Sequence, residues 1–291
     1  MAEVAKPDAL KHAPTAHGLR GDYSAMRPDW TVDQPLAGYT KDDHALWAEL
    51  YARQTRLVKD YAAPVFVQSI AAMDCADAIP SFEALSKRLR AATGWEVVPV
   101  PGLLPDDVFF AHLAARRFPA SWWIRTREEI DYLVEPDVFH DIFGHVPLLF
   151  DPVFADYLQQ YGLAGPKAMT HDAVPILARL YWYMVEFGLI LVDGEVKAYG
   201  AGMLSSFGET QFSVASPQPN RIGYDLERVM RTRYWIDRYQ STYFVLDSFE
   251  QLFRSSIDTD FGPLYERIKP VEPYAPDAVL QDDQVFNRGG A

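Results

Sequence analysis

EPDVFHDIFGHVPLL, residues 135–149, sets two histidines, His140 and His145, five positions apart in a largely apolar run. On a regular α-helix, positions i and i+5 diverge by roughly 140°, so the two imidazoles could not face one ion. Gly144 and Pro147 favour ending or bending the helix there, which would swing the second histidine onto the side of the first. A third ligand must then come from another segment. LARLYWYMVEFGLILV (177–192) offers Glu186 in a run apolar on nearly every face, the mark of a buried helix. An unpaired ionised carboxylate there costs several kcal/mol. It must therefore be protonated or paired with a cation, either a metal shared with His140 and His145 or Arg179, seven residues earlier on the same face.

Outward from these segments the chain reads as mainly α with small β-sheets, an α+β fold. Residues 1–35 are polar and broken by prolines, so a loosely ordered arm is expected. A single catalytic domain follows over 36–262. Pro263, Pro270, Pro273 and Pro276 then predict an irregular tail over 263–291. Thr40 with Asp43 resembles a capping box for a helix carrying Trp47, Leu50, Tyr51 and Val58. Ser81 caps a second helix that Gly94 stops. WEVVPV (95–100) and SWWI (121–124) read as strands, with a short helix from Pro105 to Leu113 between them. Further helices are expected at 126–133, 137–143, 152–161, 173–189, 224–237 and 247–255. TYFVL (242–246) is a strand, and Asp193-Gly194 turns LILV (189–192) into VKAY (196–199).

Composition bounds the partners. Twenty-seven basic against 40 acidic residues leave a net charge of -13, which repels phosphate backbones and anionic lipid. No nucleic acid or membrane partner is expected. Apolar runs are too short to span a bilayer, and the first residues lack a secretory apolar region. The lone Cys75 excludes an internal disulfide and fits a cytoplasmic protein.

Two histidines and a carboxylate with open positions suit non-haem Fe(II) oxygenase chemistry, and equally a hydrolytic zinc site. The zinc-protease pattern H-E-x-x-H is absent. Phe139, Phe143, Tyr181, Trp182, Tyr183 and Phe187 flank the ligands, a lining suited to flat rings rather than to water and polar substrates.

EPDVFHDIFGHVPLL (135–149), ARLYWYMVEFGL (178–189) and KAYGAGMLSSFGE (197–209) closely resemble the pterin-dependent aromatic amino acid hydroxylases, densely from Pro101 to Phe261 and more loosely from Asp22 to Gly94. The resemblance implies that family's catalytic-domain fold, and Fe(II) held by His140, His145 and Glu186. It implies tetrahydrobiopterin or a related reduced pterin as cofactor and O2 as co-substrate. Arg125 matches the arginine that holds the substrate carboxylate, as its planar fork allows. Ser205 matches a serine supporting the substrate site and a histidine ligand. Trp182, Pro136 and Phe187 match the walls of the amino acid pocket.

Gly102, Leu103, Leu104 and Asp106 match the pterin loop, Phe109 the ring that stacks on the cofactor, and Ala178 and Tyr181 the far side of that cleft. Asp141 stands where many animal members carry Glu, with a water-mediated pterin role. Pro119 replaces a common His, leaving only backbone contact. Animal members add an N-terminal regulatory domain and a C-terminal heptad helix. Here the arm is short for such a domain and the tail is broken by prolines, so a monomer like the short bacterial members is expected. The reaction implied is hydroxylation of L-phenylalanine to L-tyrosine. Trp182 argues against tryptophan, whose enzymes tend to carry Phe there, and tyrosine is the alternative within the family. Outside it stand a zinc hydrolase and a non-catalytic aromatic amino acid sensor.

Overall fold

The computed structural model of the protein describes residues 20–131, 133 and 135–290. Its helices are α1 (Lys41–Tyr61), α2 (Pro64–Met73), α3 (Phe82–Ala92), α4 (Asp106–Ala114), α5 (Pro152–Thr170), α6 (Val174–Tyr181), α7 (Ala201–Leu204), α8 (Phe207–Ala215), α9 (Leu226–Met230), α10 (Phe249–Ile257) and α11 (Phe261–Ile268). Strands β1 (Glu96–Val100) and β2 (Arg117–Ser121) pair in parallel. A five-stranded sheet runs in the order β4 (Glu195–Ala198), β3 (Leu189–Val192), β6 (Thr242–Leu246), β5 (Asn220–Gly223), β7 (Val285–Asn287), with antiparallel edges and a parallel centre. The mainly helical α+β architecture is as expected. Among the described residues no helix is long and apolar enough to cross a membrane.

Local chemistry sets many boundaries. Thr40 Oγ1 accepts from the Asp43 N–H at 3.1 Å while Asp43 accepts from the Thr40 N–H at 2.8 Å, closing the capping box of α1. Asp193 and Gly194 both take positive φ, 51° and 84°, and join β3 to β4 in a tight turn. From α1, Trp47 meets Phe139 edge-on at 5.5 Å and Tyr51 meets Phe143 at 5.2 Å. These fully buried phenylalanines brace the histidine segment from behind.

Several elements differ from expectation, each for a tertiary reason. The strand expected at 121–124 lies at Arg117–Ser121, one residue of it shared, where it finds β1 as partner. The helix expected at 126–133 shrinks to a 3-10 turn, Arg127–Glu129. α5 continues to Thr170 through Gly162, Gly165 and Pro166, all of which argue for stopping at 161. Packing overrides propensity here. A Cβ on Gly165 would lie 2.1 Å from the Phe110 ring, and one on Gly162 2.3 Å from the Ala114 nitrogen. Only glycine lets α4 lie this close on α5.

The helix expected at 224–237 ends at Met230. Beyond it, the Gln240 side chain donates to the Trp235 carbonyl at 2.7 Å and accepts from its N–H at 3.1 Å, pinning a loop. The segment expected to be irregular carries α11, where Pro263 sits harmlessly in the first turn, and β7 on the sheet edge. Of the expected arm, residues 1–19 lie outside the described residues. From Arg20 onward the chain is packed rather than loose: Val32 is buried, and its N–H donates to the Pro99 carbonyl at 2.9 Å.

Glu209 of α8 is buried, accepting from the Tyr243 hydroxyl at 2.8 Å and the Gln240 N–H at 3.2 Å. Burial pushes its carboxyl from 4.5 up to about 7 against those donors. The folded state then keeps a proton that the unfolded chain releases, so this stabilisation is complete below about pH 4.5 and is lost as pH rises through about 7. Glu209→Gln should remove a fall on the order of 3 kcal/mol across that window. Urea unfolding of both proteins at several pH values measures it, and parallel pH profiles would refute the raised carboxyl.

Candidate metal centre and its cleft

The histidine segment does not break at Gly144. His140–His145 form a π-helical turn that runs into a 3-10 turn over Val146–Phe150. A π-turn closes on residue i+5, so residues five apart come onto one side. This wider turn, in place of the expected bend at Gly144 and Pro147, aligns the two imidazoles. Gly144 serves another purpose: a Cβ there would lie 2.9 Å from the Ala201 carbonyl, so glycine lets α7 lie against the turn. Glu186 comes from a second π-turn, Trp182–Glu186, which follows α6 and so ends the expected helix at 173–189 early. Its closing bond runs from the Phe187 N–H to the Trp182 carbonyl at 3.0 Å.

The three side chains meet. His145 Nε2 lies 3.2 Å from Glu186 Oε1 and 3.3 Å from His140 Nε2, and His140 Nε2 lies 3.6 Å from Glu186 Oε2. Their donor atoms all fall within 4.8 Å of one another. An ion bonded at about 2.0–2.2 Å to nitrogen and oxygen fits that spacing. Arg179 is engaged elsewhere, donating to the Met230 carbonyl at 2.8 Å, so it is not the partner of Glu186.

Protonation agrees with metal binding. The Ser205 hydroxyl donates to the Ala201 carbonyl at 2.8 Å and accepts from His140 Nδ1–H at 2.9 Å. That arrangement assigns the proton to Nδ1 and leaves the Nε2 lone pair facing the cluster. Burial pushes His140 down to about 4 against the pull of Glu186, so the imidazole is neutral at pH 7. Burial alone would raise Glu186, but His145 and His140 hold it below its ordinary value and it stays ionised. A neutral imidazole and a carboxylate converging in a buried site make a donor set that fits a divalent ion.

Beside the cluster, Arg125 is buried and clamped by Asp137: Nε–Oδ2 and Nη2–Oδ1 are both 2.8 Å. Asp137 also accepts from the His140 N–H at 3.0 Å. Burial would raise the Asp137 carboxyl, but Arg125 holds it low. One carboxylate therefore fixes the guanidinium relative to the first histidine. Trp182 stacks on Tyr234 at 4.4 Å and packs on Phe187 at 5.0 Å. The Pro136 carbonyl accepts from the Ser121 hydroxyl at 3.2 Å.

Gly102, Leu103 and Leu104 form the loop between β1 and α4, Asp106 opens α4, and Phe109 lies within it. Phe109 meets Tyr181 edge-on at 5.4 Å, and Tyr181 lies nearly parallel to His145 at 6.3 Å. Rings thus run from the loop to the cluster. Ala178 is half-buried on α6, one turn before Tyr181. Asp141 accepts from the Ser121 N–H at 2.7 Å, and burial pushes its carboxyl up to about 7. Pro119 is a buried residue of β2.

Asp137, Tyr234 and Phe118, whose ring lies 4.8 Å from that of His145, belong to the site without being marked by the motifs. Asp137 had a legible signal, an Asp at capping distance before a helical turn. Phe118 and Tyr234 arrive from a strand and a loop and carry none.

Glu186→Gln keeps shape and removes charge. Metal content should fall at least about tenfold while the melting temperature holds, because a neutral amide is cheaper to bury. Metal analysis beside thermal unfolding checks this, and an unstable but fully metal-loaded variant would overturn the assignment.

The model of the family described as biopterin-dependent aromatic amino acid hydroxylase matches residues 23–261. The chain is 53% identical over 262 residues to the phenylalanine-4-hydroxylase of Chromobacterium violaceum, covering 90% of this chain and 88% of that one. It is 52% identical over 275 residues to that of Ralstonia nicotianae, covering 94% and 87%. The crystal structure of the Chromobacterium violaceum phenylalanine hydroxylase with iron and phenylalanine bound matches with a TM-score of 0.85 at 51% identity, over 89% of this chain and 94% of that one. Its cobalt-bound form matches with a TM-score of 0.87 at 53% identity, over 89% and 93%. The chain belongs to the biopterin-dependent aromatic amino acid hydroxylase family.

Proposed function

We propose that this protein is a phenylalanine 4-hydroxylase, converting L-phenylalanine to L-tyrosine with O2, a reduced tetrahydropterin and Fe(II). The observation that carries the reading is the His140–His145–Glu186 cluster with a clamped arginine beside it. When bound, the iron and pterin supply the splitting of O2 and the electrons it requires. The protein's part is positioning. His140, His145 and Glu186 would hold the metal, with Ser205 keeping the His140 proton on Nδ1.

Arg125 spends Nε and one Nη2 hydrogen on Asp137, and its Nη1 reaches the Ile130 carbonyl only at 3.4 Å. The remaining N–H groups suit the substrate carboxylate. Trp182, stacked on Tyr234 and packed on Phe187, offers a flat wall to an aromatic ring. On the other side, Phe109 and Tyr181 offer rings to the pterin. Phenylalanine as substrate is supported by relatives of that activity at about half identity, one of them solved with phenylalanine bound.

The catalytic unit is read as one domain, the expected 36–262 together with the packed segment from Arg20, α11 and β7, acting as a cytoplasmic monomer. A net charge of -13 opposes self-association, and the single cysteine, Cys75, is buried and free. Light scattering at micromolar concentration should give the mass of one chain, and a stable tetramer would refute it.

Supplied with Fe(II), tetrahydropterin, O2 and each aromatic amino acid in turn, the protein should convert phenylalanine fastest, to tyrosine. Tyrosine or tryptophan turned over faster would overturn the substrate reading, and no oxygen uptake would overturn the enzyme reading. Arg125→Lys keeps the charge but loses the parallel pair of hydrogen bonds. It should raise the KM for phenylalanine roughly ten- to hundredfold with little effect on that for pterin. Unchanged phenylalanine kinetics would remove Arg125 from the site.

A further inference from the structure

We infer that residues Arg20–Val32 form a strap that seats the pterin loop, with Tyr23 as a positioning residue for the cofactor. The inference rests on reading Gly102–Leu104 as the pterin's loop.

The strap touches the chain around that loop at successive points. The Val32 N–H donates to the Pro99 carbonyl at 2.9 Å. Gly21 lies directly on the next peptide: a Cβ there would fall 1.5 Å from the Pro101 carbonyl oxygen, so no side chain is possible without lifting the strap. The Tyr23 hydroxyl donates to the Leu103 carbonyl at 3.2 Å. Because the carbonyl and the following N–H of a trans peptide point in opposite directions, this bond has a consequence one atom further along. It turns the Leu104 N–H away from the strap. That N–H donates to no acceptor among the described residues. A fixed, outward N–H is what recognition of a flat heteroaromatic ring edge requires.

Glu135 holds the strap from the other side. It is buried, its Oε2 accepts from the Arg20 N–H at 3.3 Å, and its Oε1 is buried without a partner among the described residues. A Cβ on Gly102 would lie 2.8 Å from that oxygen and 2.9 Å from the Tyr23 hydroxyl. The bare Gly102 backbone therefore fits between a carboxylate and a phenol, which limits its travel in both directions. The Arg20 guanidinium also pairs with Glu129, in the turn that follows Arg125. The strap thus ties the proposed cofactor loop to the proposed substrate loop.

Tyr23→Phe keeps the ring and removes only the bond to Leu103. The test measures three quantities for the full-length protein. They are the dissociation constant for an oxidised, unreactive pterin by calorimetry, the KM values for pterin and phenylalanine, and amide exchange at Leu104. Pterin affinity should weaken roughly three- to tenfold, the loss expected for one hydrogen bond, with faster exchange at Leu104 and an almost unchanged KM for phenylalanine. Gly21→Ala, which lifts the strap from Pro101, should give the same pattern. If that variant does not fold, the milder Tyr23→Phe decides alone.

Phe109→Ala separates the strap from the loop reading. If it weakens pterin binding while Tyr23→Phe and Gly21→Ala do not, the strap inference is overturned and the cleft assignment stands. If Phe109→Ala has no effect either, the loop reading fails and takes the strap with it. A lower melting temperature with unchanged pterin affinity would make the strap a brace for stability only, which also overturns the inference.

Discussion

Two imidazole nitrogens and a carboxylate whose donor atoms lie within 4.8 Å of one another, in a site mostly closed to water, are stable together only around positive charge. Much of the surrounding chain is arranged to keep them there. Two separate π-turns present the ligands, although such turns carry poorer backbone geometry than an α-helix and are rare. Trp47 and Tyr51 press from behind on Phe139 and Phe143. α7 approaches closely enough for the Ser205 hydroxyl to accept from His140 Nδ1–H because Gly144 has no side chain to hold it off. Together these features hold a donor set that a divalent ion would fit.

Asp137 extends the same geometry outward. A buried ion pair is a weak source of stability, since desolvating both partners offsets most of their attraction. The Arg125–Asp137 pair is better understood as a ruler. The carboxylate that grips the guanidinium also accepts from the His140 backbone, so the placing of Arg125 relative to the metal-ligand cluster is set by a single side chain. On the proposed role of Arg125, an amino acid held there by its carboxylate would present its ring to the cluster in a reproducible position.

What the sequence made legible follows from range. Glu186 stands out because a lone charge in an apolar run demands a partner. The Thr40–Asp43 box stands out because its chemistry is complete within four residues. The convergence of His140, His145 and Glu186 could be anticipated, but not the turn that achieves it: widening a helix by one residue is an outcome of packing, and Gly144 and Pro147 look the same whether they break a helix or accommodate a neighbour. α5 misled for the same reason, since Gly162, Gly165 and Pro166 read as punctuation until α4 is laid against them. The substrate and cofactor residues were marked by resemblance of whole motifs more than by their own chemistry. Phe118, Tyr234 and Tyr23 meet their partners from 27 to 80 positions away and leave no local trace.

The close seating of α4 on α5 reaches the cleft as well as the core. Phe109 rides on α4, and the floor beneath that helix is Gly162 and Gly165 of α5. A single methyl group added to that floor would meet the Phe110 ring or the Ala114 backbone, so α4 would have to shift, and Phe109 with it. The placing of the ring proposed to stack on the pterin is thus set partly from underneath, by two glycines of α5.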